Sequence, residues 1–147
     1  MENTITAGTA SQIIGVPYHT INRWVLEGLV LPTENPKGSG SLRRFSLRDV
    51  IELRLIAALR EVGASLKLGH RAVDEFQHWL DAGIPERLWL IARDPSDLTW
   101  AEAPEAIAAA ASSHTAIILD VAALARETAA AFEQELQAQL ASNRRRR

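Results

Sequence analysis

The 147-residue sequence has no cysteine, one methionine and one tyrosine, and aromatic residues make up only 5% of it. Without thiols there is no disulfide framework, no thiolate zinc site and no cysteine nucleophile. Long apolar runs are missing too, so no transmembrane helix fits and no membrane association is expected. The opening Met1-Glu2-Asn3-Thr4 has neither a basic stretch nor an apolar one. A signal peptide is therefore not expected, and a cytoplasmic location is. What is present is a hydrophobic fraction of 47%, enough for a real core and too much for wholesale disorder.

A formal net charge of −2 hides an uneven distribution. Residues 1–73 hold nine Lys/Arg against six acids, whereas residues 74–143 hold three Arg against twelve acids. Arg144, Arg145, Arg146 and Arg147 then close the chain with four positive charges. Such asymmetry directs the search for a polyanion-binding module to the first half.

Thr6 to Ile14 predicts a short helix, broken by Gly15-Val16-Pro17. Pro17 suits the first turn of a second helix, Tyr18 to Glu27, in which Ile21, Trp24 and Val25 share a stripe. Gly28 ends it as a C′ glycine would. Thr33 to Ser41 is rich in Gly, Pro, Ser and Asn and reads as a hairpin tip between extended segments Leu29–Leu31 and Leu42–Phe45. Ser46-Leu47-Arg48-Asp49 has the form of a capping box with Asp in the acidic position. It opens a third helix to about Val62, and a fourth follows over about Leu66 to Leu80.

The second half has a different texture. Leu88 to Ala92 predicts a strand, Asp94 to Asp97 a turn, and Leu98 to Glu102 a further short strand. Pro104 to Ala111 is an alanine-rich helix, Thr115 to Leu119 a strand, and Asp120 the cap of a helix reaching about Ser142. Two short strands with a helical crossover suggest a right-handed βαβ unit. The expected fold class is α+β: a winged helix-turn-helix of four helices and a hairpin at about 1–80, then a small βαβα domain at 86–143. Arg144 to Arg147 form a basic tail, expected to be disordered when free.

Two helices across a tight turn, followed by a Gly-rich hairpin, are the pattern of a winged helix-turn-helix. Such a module lays its second helix in the major groove and reaches sideways with basic residues of the wing. The candidate DNA-binding residues are Tyr18, His19, Thr20, Asn22 and Arg23 on that helix, with Lys37, Arg43 and Arg44 on or beside the hairpin. Asn pairs bidentately with adenine and Arg with guanine, and Tyr or Thr hydroxyls reach phosphate.

These residues resemble the N-terminal domain of the MerR family. The likeness runs through Ala7-Gly8, Gly15-Val16, His19 to Trp24, Gly28-Leu29-Val30-Leu31-Pro32, Leu42 to Ser46, Asp49-Val50 and Ile56 to Leu66. It covers about residues 5–75, with a longer wing tip. The resemblance implies that the second helix and the wing touch DNA, and that the protein works as a dimer. The family's wing arginine falls on Arg43. Its usual helix arginines fall on His19 and Asn22, and its aromatic pair on Arg23 and Trp24, which changes the expected operator. The family's long dimerising helix is not continued here, because Ala82-Gly83-Ile84-Pro85 interrupts it.

Each feature also has a plainer reading. Trp24 belongs to the core, and Arg48, Arg54 and Arg60 to solvated faces. His70, His78 and His114 are too scattered to hold a metal, and no cofactor is expected. Trp79, Trp89 and Trp100 either line an effector pocket or, as is favoured, pack a core. Leu124, Thr128, Phe132, Leu136 and Leu140, four apart, form an intermolecular seam or cover the sheet. No nucleophile–base pair is visible, so an enzyme is not expected. The reading that results is a sequence-specific, double-stranded-DNA-binding transcriptional regulator acting as a homodimer on an inverted repeat. The alternative is a DNA-binding antitoxin that neutralises a toxin through its acidic second half.

Overall fold

The computed structural model describes residues 3–36, 43–110 and 115–146. Among these described residues six helices and five strands follow in the order β1 (Ile5–Thr6), α1 (Ala7–Ile14), α2 (Tyr18–Leu26), β2 (Arg44–Phe45), α3 (Leu47–Glu61), α4 (Leu66–Ala82), β3 (Trp89–Asp94), β4 (Asp97–Ala101), α5 (Pro104–Ala110), β5 (Ile117–Asp120) and α6 (Val121–Arg145). The chain divides into two compact units. One is Met1–Arg54 with Arg126–Arg147, and the other is Leu55–Ala125.

In the first unit, Thr6 caps α1, its Oγ1 accepting the Thr9 N–H at 3.2 Å. Gly15 then takes a left-handed φ of 73° and returns its N–H to the Ser11 carbonyl. Pro17 stands just before α2, with φ −62° and ψ 147°, a backbone angle its ring imposes. At the far end of α2, Gly28 N–H bonds the Val25 carbonyl and Leu29 N–H the Trp24 carbonyl. That is a Schellman motif, and its glycine has the required positive φ of 79°. α1 and α2 pack through Ala7, Ala10, Ile14, Ile21, Trp24 and Val25, all buried.

The extended segment ahead of α3 pairs differently from expectation. β2 is antiparallel to β1, in the register Ile5↔Phe45 and Thr6↔Arg44, rather than to Leu29–Leu31. Leu29 and Val30 are buried side chains outside any strand. A two-residue strand such as Ile5-Thr6 is too short to show alternation, so its role is invisible in the sequence. The hairpin survives among the described residues as one bridge, Glu34↔Arg44, with N–H···O distances of 3.1 and 2.9 Å. Lys37 and Leu42 lie outside the described residues. The capping box at α3 is present: Asp49 N–H reaches Ser46 Oγ at 3.3 Å and Ser46 N–H reaches Asp49 Oδ2 at 2.9 Å.

The second unit holds the end of α3, α4 and a three-stranded sheet of order β4-β3-β5. Ser65 caps α4 by accepting the Leu68 N–H at 3.1 Å. β3 is antiparallel to both neighbours, pairing Leu90↔Trp100 and Leu90↔Leu119. This corrects the simple parallel βαβ unit. The Asp94–Asp97 turn sends the chain straight back as β4, so the α5 crossover joins two parallel strands with β3 inserted between them. Arg93, unremarked in the sequence, ties this unit together. Its guanidinium bonds Asp97 at 3.2 Å and donates to the Ala110 carbonyl at the end of α5. Leu88, Leu90, Ile91 and Ala92 are fully buried, while Phe76 stacks on Trp100 at 5.8 Å with Trp79 alongside. The tryptophans at 79 and 100 are thus joined in an aromatic cluster. Asp120 caps α6 through the Ala123 N–H at 3.0 Å.

α6 extends further than predicted. It includes Arg144 and Arg145, where a disordered tail was expected; Arg147 lies outside the described residues. Arginine is a good helix former, and its charge is favoured at a helix C-terminus. Among the described residues no helix is long and apolar enough to cross a membrane. No group of three potential ligands among them gathers to hold a metal.

Candidate nucleic-acid interface

α2 separates its faces cleanly. Ile21, Trp24 and Val25 are buried, Trp24 at 2% exposure, which places it in the core as its stripe predicts. Among the described residues the Trp24 indole N–H has no hydrogen-bond partner. Tyr18, His19 and Arg23 are exposed, and Thr20 and Asn22 half-buried. Arg23 approaches Glu27 at 4.0 Å one turn on, a loose surface pair that leaves its guanidinium accessible.

The two wing arginines part company. Arg43 is only 9% exposed. Its Nε donates to Asn35 Oδ1 at 2.8 Å and its Nη1 to Asn22 Oδ1 at 2.9 Å. It therefore stitches the segment after α2 to the middle of α2. Arg44, the next residue, points elsewhere, as alternation along an extended chain requires. Its Nε donates to Thr4 Oγ1 at 3.2 Å and its Nη2 to the Thr4 carbonyl at 3.0 Å. Arg44 also lines an open polar cavity of about 360 Å³ with Thr6, Gln139, Ser142, Asn143 and Arg146. Of the candidate residues, then, the structure joins Asn22 to Arg43, keeps Tyr18, His19, Thr20 and Arg23 on the same helix, and turns Arg44 towards Thr4.

Two supporting groups escaped the sequence reading. Asn35 is the second acceptor of Arg43; in the sequence it is one polar residue of a loop. Asp49 looked like a helix cap alone, yet its Oδ2 also accepts the Thr33 N–H at 2.8 Å and the Thr33 hydroxyl at 2.7 Å. One buried carboxylate thus holds the chain leaving α2 against the start of α3. A capping signature reveals only the local half of that role.

An exposed polar helix face, locked to a basic extended segment behind a tight two-helix turn, defines a helix-turn-helix class of protein. Comparison with known sequences makes this particular: residues 5–74 match the family described as MerR HTH family regulatory protein. That segment is similar to MerR-type helix-turn-helix regulators, over the stretch that carries the sequence resemblance. Relatives include uncharacterized HTH-type transcriptional regulators of Mycobacterium bovis and of two strains of Mycobacterium tuberculosis, each 34% identical over 70 residues. The aligned stretch is 47% of this chain and 31% of each relative. The chain thus matches about a third of the length of these curated relatives.

Proposed function

We propose that the protein is a sequence-specific regulator of transcription that binds double-stranded DNA through α2 and the segment around Arg43. The observation that carries this reading is the Arg43–Asn22 hydrogen bond at 2.9 Å, which makes the helix and the basic segment one surface. The match of residues 5–74 to a regulatory HTH family supports it. In this reading residues 1–80 are a winged helix-turn-helix, with Lys37 on the wing, and residues 86–143 form a dimerisation or partner-binding domain. Two copies place their α2 helices in successive major grooves of an inverted repeat, about one turn apart. In a gel-shift titration, Asn22→Ala and Arg23→Ala should each weaken operator binding by about 1–3 kcal/mol. Unchanged affinity in both variants would remove α2 from the groove.

A second reading rests on the twelve acids among residues 74–143. In it the chain is an antitoxin that binds its own operator and a basic toxin. Expressing the product of a neighbouring gene, with and without this chain, separates the two: toxicity relieved by co-expression supports the antitoxin.

A further inference from the structure

A guanidinium has five N–H donors and no acceptor. Arg43 donates both to Asn22 Oδ1, at 2.9 Å, and to Asn35 Oδ1, at 2.8 Å. Both carboxamides must therefore turn their oxygens towards Arg43, and each NH₂ group is left on the other side. Arg43 makes no ion pair among the described residues, so its charge is held by two neutral dipoles. The cluster offers donors and positive potential to whatever approaches it.

This alters what Asn22 can read. An asparagine that recognises adenine uses both ends of its amide, donating to N7 and accepting from the N6 amino group. Here one of the oxygen's two lone pairs is already taken by the Arg43 guanidinium. An adenine N6–H would have to share it with a guanidinium, bringing a partly positive hydrogen beside a full cation. Guanine presents two acceptors in the major groove, O6 and N7, and needs only donors. Thymine offers one acceptor beside a methyl group, and cytosine a donor. We infer that Asn22 is a donor-only reader that selects guanine over adenine, with Arg43 as the positioning residue that sets this preference and Asn35 the group that holds Arg43. The inference rests on the proposed entry of α2 into the major groove and adds the base it reads there.

The test begins with sites selected from random duplex DNA by the native chain, and locates the position whose preference disappears in Asn22→Ala. Guanine, hypoxanthine, 7-deazaguanine and adenine are then compared there. Hypoxanthine keeps O6 and N7 and should bind within about twofold of guanine. 7-Deazaguanine and adenine should each bind about tenfold more weakly. Arg43→Met, which frees the Asn22 oxygen, should bring guanine and adenine to near parity at that position. Adenine bound as well as guanine by the native chain would overturn the inference. So would an equal loss for all four bases in Arg43→Met, which marks a phosphate grip without base choice. Should Arg43→Met not fold, the base-analogue series on the native chain decides alone. A native chain that selects no sequence at all sinks the proposed function itself; one that selects adenine opposite Asn22 sinks only this refinement.

Discussion

Asp49 illustrates how much a single buried carboxylate can organise. It accepts from Ser46 N–H, Thr33 N–H and the Thr33 hydroxyl, and it lies in the first turn of α3, where the helix dipole favours a negative charge. Asp49→Ala should lower the stability to urea unfolding by about 2–4 kcal/mol, since it removes both a cap and three charge-assisted bonds, one of them from the buried Ser46 N–H. Thr33→Val removes only the hydroxyl bond and should cost about 1 kcal/mol. Equal losses in the two variants would show that the cap matters little. Asp94 is a different case, on the surface turn between β3 and β4. Hydrogen bonds from the Ser96 hydroxyl and then the Ser96 N–H hold its carboxyl below the usual carboxylate range. A folded pKa below the unfolded one means a contribution present at neutral pH. It is lost as the pH falls past the unfolded value towards the folded one. Asp94→Asn should therefore flatten that acidic part of the stability profile, and leave the profile above pH 5 parallel to the native one.

The elements differ in how openly the sequence declares them. α2 is announced twice, by the stripe Ile21, Trp24, Val25 and by Gly28, whose φ of 79° is needed for the Schellman bonds. No side chain crowds that position, so Gly28→Ala should cost only the backbone strain, about 1 kcal/mol in a thermal melt. The caps Ser46 and Asp120 were equally local, and α3 and α6 start where those residues suggest. Pairing was less legible. The partner of β2 lies some forty positions away, at Ile5-Thr6, and β3 had to be placed between β4 and β5 by three-dimensional packing. The site shows the same division. Alternation separates Arg43 from Arg44, but it does not say which of them folds inward onto Asn22. Aromatic pairing between α4 and β4 was also hidden, since Phe76 and Trp100 are distant in the chain. They stack at 5.8 Å, with Trp100 Nε1 donating to Glu75 at 3.0 Å. Phe76→Ala should cost about 3–5 kcal/mol by leaving a cavity in that cluster. The tryptophan emission should shift to the red as Trp100 meets water; an unchanged spectrum would place Trp100 outside the core that Phe76 supports.

At the scale of the molecule, charge is the organising quantity. A chain of net charge −2 has no general attraction for a polyanion. Binding to DNA must then rest on local groups, and electrostatic interactions fade over about 8–10 Å at ordinary salt. Two kinds of group are available. In the proposed function the α2 face and the Arg43 cluster read bases, while Arg144, Arg145 and Arg146, at and just beyond the last turn of α6, lie outside the two-helix motif and would add contacts to phosphate, which carry no sequence information. These roles separate by salt. Each phosphate contact contributes a slope of about −0.9 to log K against log salt, irrespective of sequence. If the arginines touch DNA, replacing all three by glutamine should flatten that slope by up to about 3. Operator and random DNA should lose affinity in parallel, leaving their ratio intact. Asn22→Ala should do the reverse, lowering operator affinity while the salt slope stays where it was. An unchanged slope in the triple glutamine variant would assign the basic end of α6 to something other than DNA.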